Sequence, residues 1–84
     1  MWMRLSELGK QQTASVVGVE KLQADDAIAA RLQDIGFVAG ETVKVITRAP
    51  WGGDPILVQV GTSRFALRRE EASRIVLQQG VQRG

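Results

Sequence analysis

Histidine and cysteine, the usual general base and the strongest nucleophile of protein chemistry, are both absent from this chain. What remains is a short inventory. Two carboxylate pairs stand side by side, Asp25-Asp26 and Glu70-Glu71. Ser15, Ser63 and Ser73 have no recognisable partner. Each carboxylate pair reads as the acidic first turn of a helix, where it meets free N–H groups and the positive end of the dipole. No catalytic residue is assigned, and no enzymatic activity is expected. Oxygen ligands alone suit hard ions such as Mg²⁺ or Ca²⁺. No calcium-loop spacing occurs, so neither a metal site nor a cofactor is expected.

The glycines could in principle hold phosphate. A phosphate cradle needs a strand, a glycine loop and then a helix. Here the order is helix, loop, strand, and the GGDP stretch lacks the lysine and hydroxyl of a P-loop. Gly36 and Gly40 form a G-x-x-x-G spacing, which in a lipid helix would be a packing face. Their polar flanks favour a helix stop at Gly36 followed by a tight turn at Gly40. The segment RAPWGGDPIL (48–57) carries a different signal. Proline and glycine exclude a helix interior and a central strand, so it reads as a surface loop. It presents Trp51 between Pro50 and two glycines. That ring either folds back as a lid over the core or anchors a partner, since Trp and Arg dominate protein interfaces. The candidate partner-binding residues are Trp51, Pro50, Asp54, Arg48 and Arg68.

These residues must be positioned by a small domain. The chain has 84 residues, 44% of them apolar, enough for one modest core. One domain is expected over 1–79, with 80–84 as a frayed polar tail. No stretch approaches a membrane span, and the start lacks a signal-peptide pattern. A cytoplasmic location is expected. RLSEL (4–8) reads as a helical turn at most, with Ser6 as its cap. TASVVGVE (13–20) reads as a strand, with Gly18 marking a bulge or a close backbone approach. DDAIAARLQDIGF (25–37) is the clearest helix, with Ile28, Leu32 and Ile35 on one stripe. Gly36 fits the left-handed position after it, which brings Phe37 onto Leu32.

TVKVITR (42–48), ILVQV (56–60), RFALR (64–68) and RIVL (74–77) read as further strands. GTS (61–63) is a hairpin turn and REEAS (69–73) one helical turn. The expected fold is mainly β with one α-helix: a five-stranded SH3-like barrel, the helix between its first and second strands.

Charge is uneven. Residues 1–45 carry five basic and six acidic side chains; residues 46–84 carry six arginines against three acids. A basic half can meet nucleic acid, a membrane surface or an acidic protein. The first reading is a solvated surface. A small-barrel nucleic-acid module is the alternative function, and it lacks the aromatic platforms that stack bases, because Phe65 alternates toward the core.

The order and spacing of LQDIGFVAGETVKVITRAPWGGDPI, with MRLSEL (3–8), VVGVE (16–20) and ALRREEA (66–72), resembles the FeoA proteins, small cytosolic partners of the ferrous-iron transporter FeoB. The resemblance covers most of the chain. It departs at Ala39, where the family often has proline, and at Trp51 with its added glycine. It implies an SH3-like barrel without enzymatic activity, a role in iron uptake, and a contact with the cytosolic, GTP-binding part of a FeoB-type transporter. That partner would recruit the chain to the inner face of the membrane. A homo-oligomer is the further assembly considered. A similar barrel ends the iron-dependent repressors, but this chain lacks their helix-turn-helix.

Overall fold

In a computed structural model, which describes residues 2–50 and 52–79, six strands form one antiparallel sheet. The elements in chain order are β1 (Trp2–Arg4), a 3₁₀ turn (Leu5–Glu7), β2 (Thr13–Val19), α1 (Ala27–Asp34), β3 (Thr42–Arg48), β4 (Ile56–Val60), β5 (Ser63–Leu67), α2 (Arg69–Ala72) and β6 (Ile75–Gln78). The sheet order is β1-β6-β2-β3-β4-β5. The expected frayed tail at 80–84 and the expected contact at Trp51 lie outside the described residues.

Six strands rather than five is a correction, and the added one is β1. It pairs Trp2, Met3 and Arg4 with Gln78, Leu77 and Val76. Three residues are too few to show alternation, and their partner lies at the far end of the chain. Counting β1 moves α1 from between the first two strands to between β2 and β3. Ser6 is not a cap either: it sits inside the 3₁₀ turn, whose end is held by Glu7 accepting the Arg4 N–H at 2.8 Å.

The long strands follow from alternation. Val43 and Val45 of β3 and Ile56, Val58 and Val60 of β4 point inward and are buried, while the residues between them face out. Two bulges bend the sheet. One falls in β2 between Val16 and Gly18, where the register with β6 shifts. Gly18 itself is not pressed by its surroundings: a Cβ there would meet nothing within 4 Å, so there is no close backbone approach. The other bulge lies in β3 between Val45 and Thr47. Gln11 covers it, at a left-handed φ of 66°, donating from its side-chain amide to the Ile46 carbonyl at 2.8 Å.

Helix α1 starts and stops on side-chain and glycine chemistry. Asp26 caps it, accepting the Ala29 N–H at 3.2 Å. At the other end the Phe37 N–H reaches the Leu32 carbonyl at 3.1 Å and the Gly36 N–H reaches Gln33 at 3.2 Å. That pair of bonds is a Schellman stop, and Gly36 carries the required positive φ of 122°. Phe37 and Leu32 are both buried in the one core cluster, with Ile28 and Ile35 packed at its margin. Phe65 leans on the same core, its ring centroid 6.0 Å from that of Phe37. Val38–Glu41 is then a tight turn closed by the Glu41 N–H on the Val38 carbonyl, with Gly40 at φ 93°.

Candidate surface for a protein partner

The loop after β3 is built by hydrogen bonds from three directions. Its neck is closed by the Ala49 N–H on the Pro55 carbonyl at 3.0 Å, and the Gly53 N–H reaches Ala49 at 3.1 Å. Gly52 and Gly53 both hold left-handed φ, 79° and 72°, which two successive L-residues would resist. The Asp54-Pro55 bond is cis. Arg69, the first residue of α2, grips the loop twice. Its N–H donates to Asp54 Oδ1 at 2.8 Å and its guanidinium to the Gly52 carbonyl at 3.0 Å.

The candidate residues therefore divide by role. Arg48 directs its guanidinium to the carbonyls of Ser6 at 3.2 Å and Leu8 at 2.5 Å, and so locks the N-terminal turn to β3. Asp54 is held by Arg69. Asp54 thus shapes the loop from within, while Arg48 fixes the strand that leads into it. Pro50 and Arg68 are exposed. Arg68 gives its N–H to Glu71 Oε1 at 2.7 Å while its guanidinium bonds to nothing among the described residues. Pro50 and Asp54 share one loop, and Arg48 ends the strand before it. Arg68 stands beside it, next in sequence to the arginine that grips Asp54.

Next to the loop, a groove of about 540 Å³ crosses the outer face of the sheet, lined by Lys10, Thr47, Arg48, Ala49, Pro50, Pro55, Ile56, Leu57 and Ala66. The sequence reading missed Lys10, Leu57 and Ala66. The alternation of ILVQV carried a signal for Leu57, since burying Ile56 and Val58 turns it outward.

Of the two carboxylate pairs, the second stands in a first turn as expected and the first does not, since α1 starts at Ala27 and Asp25 lies before its cap. Glu70 and Glu71 occupy the first turn of α2, and Asp26 caps α1. Asp26 has a second bond unseen in the sequence. Its Oδ2 lies 2.8 Å from Arg74 Nε, and both side chains are almost wholly buried. Arg74 also donates to the Glu70 carbonyl at 2.6 Å. Arg74 thus leaves the solvated basic surface to which its charge assigned it. The hydrogen bond from Arg74, and then that from the Leu22 N–H, hold the Asp26 carboxyl down to about 2 from an ordinary 3.8. Among the described residues no three His, Cys, Asp or Glu side chains gather as metal ligands, and no helix is long and apolar enough to cross a membrane.

Comparison with known proteins places this geometry. The family model for the FeoA domain matches residues 3–79. The chain is 37% identical over 73 residues to an Fe(2+) transport protein A/Fe(2+) transporter FeoB fusion protein of Porphyromonas gingivalis, covering 87% of this chain. It spans only 8% of that fusion's length. FeoA of Stenotrophomonas maltophilia, an SH3 domain protein solved with zinc, is 53% identical, with a TM-score of 0.85 over 90% of this chain and 89% of its own. IdeR of T. acidophilum shares the fold alone, at 20% identity and a TM-score of 0.71 over 90% of this chain and 33% of its own. The match over nearly the whole described domain, with the SH3-like sheet, makes this chain a member of the FeoA family of ferrous-iron transport.

Proposed function

We propose that this chain is a non-catalytic accessory protein that acts on the cytoplasmic side of the membrane by binding the cytosolic part of a FeoB-type ferrous-iron transporter. The observation that carries the reading is the fusion relative, in which a domain like this one and FeoB share one polypeptide. Covalent linkage keeps two domains at high effective concentration, and a separate chain must supply by affinity what the fusion has by connection. The contact surface is the loop that follows β3, with Pro50 exposed on it and Arg68 exposed beside it; Trp51 belongs to the same stretch of sequence. Asp54 and Arg69 hold its shape, which lowers the entropy lost on docking.

A pull-down of the transporter's purified cytosolic part by the immobilised chain, with and without GTP, tests this. Saturable capture is expected. No capture in either nucleotide state defeats the reading.

A further inference from the structure

The outer face of β3, β4 and β5 takes no part in the core, and the register fixes what stands on it. Lys44, Gln59 and Arg64 form one row across the three strands; Thr47, Leu57 and Ala66 form the next. The second row floors the groove that Pro50, Pro55 and Lys10 border. No aspartate or glutamate lines that groove. Of its two cations, Arg48 is held by the Ser6 and Leu8 carbonyls, and Lys10 makes no ion pair: the ion pairs among the described residues are Arg4–Glu20 and Arg74–Asp26. In the row beside the groove, the one side-chain bond of Arg64 among the described residues goes to the neutral Gln59 amide, at 3.2 Å. Among the described residues the side chains of Lys10 and Lys44 make no ion pair, and Glu41 lines the same hollow as Lys44. β5 is also an edge of the sheet, so one side of its backbone faces no strand among the described residues.

From these features we infer that the groove binds an extended, acidic segment of a partner protein. Apolar side chains of the segment rest on Leu57, Ala66 and the two prolines. Its carboxylates meet Lys10 in the groove and Lys44 and Arg64 in the row beside it, and its backbone runs along β5. The apolar floor supplies burial, the unpaired cations supply orientation and rate, and the edge offers main-chain hydrogen bonds. Nucleic acid fits less well. Among the described residues no aromatic ring stands on this face to stack a base, because Phe65 turns inward to Phe37. The inference rests on the proposed function only for naming the transporter as the source of the segment.

Two ligands test it. Random dodecapeptides displayed on phage are panned on the immobilised chain, and the transporter's cytosolic part is titrated separately. Both are measured against wild type, Leu57→Glu, the double variant Lys44→Glu/Arg64→Glu, and Lys21→Glu as a control away from the groove. Circular dichroism confirms each fold, and the double variant tests the groove even if Leu57→Glu unfolds. Selected peptides should be rich in Asp and Glu interleaved with apolar residues. Affinity for both ligands should fall at least tenfold in the groove variants and hold in the control. Peptides without acidic enrichment, or affinities indifferent to the groove variants, overturn the inference. So does tighter binding to phosphatidylserine vesicles or to oligo-dT that the same variants abolish. Acidic peptides that bind while the transporter does not would keep the groove and remove the proposed function. Transporter binding that ignores the groove variants does the reverse.

Discussion

Asp26 does three things with two oxygens. Oδ1 accepts the Ala29 N–H; Oδ2 accepts the Leu22 N–H and Arg74 Nε. One side chain thus ties the loop before α1, the first turn of α1 and the residue that opens into β6. Asp26→Ala should lower the melting temperature by far more than Asp25→Ala, read by thermal circular dichroism, because it strands the buried Arg74 charge. The pH dependence has a definite sign. With a folded pKa of about 2 against 3.8, the unfolded state binds more protons between those values, so stability falls as pH drops through that window. The urea midpoint should decline from pH 5 to pH 2, and less steeply in Asp26→Asn. The cap was legible because capping is local. Its partner was not: Arg74 is 48 positions away, and nothing in the sequence marks which of eight arginines turns inward. At Trp51 the anchor reading predicts that Trp51→Ala stays within about 0.5 kcal/mol of wild-type stability. Transporter binding should weaken by about 2 kcal/mol in titration. A variant that melts early and still binds makes the ring a lid.

Two glycines separate backbone need from mere absence of a side chain. Gly36 holds φ 122°, and an added Cβ would meet only Val60 Cγ1 at 3.9 Å. Its cost is therefore conformational: Gly36→Ala should lose about 1 kcal/mol or more in urea unfolding. Gly18 has open space and no positive φ. Gly18→Ala should leave stability unchanged or raise it by about 0.4–1 kcal/mol, by restricting the unfolded chain. A loss at Gly18 equal to that at Gly36 would refute this division. The elements legible in sequence were those whose pattern is self-contained. β3 and β4 alternate strictly enough to fix their ends, and the stop of α1 is written in Leu32, Gly36 and Phe37. Strand β1 and the Ile46 bulge were not legible, because each is defined by pairing: β1 by distant β6, the bulge by the register of β3 against β4.

At the scale of the molecule, the sheet is assembled out of sequence order. Its last strand, β6, lies between β1 and β2 and pairs with both. Ile75 and Leu77 of β6 are fully buried. A chain ending at Arg74 should accordingly show no cooperative melt in calorimetry, since it lacks an inner strand of the sheet rather than a rim. Folding that depends on such long-range pairing is slow relative to local contacts. The same placement sets a schedule for synthesis. A ribosome emits the chain from the N-terminus, so β1 and β2 wait, unsatisfied along the edges that will flank β6, until residues 75–78 have cleared the exit tunnel. The nascent domain stays open through nearly all of its own translation and closes in one late step.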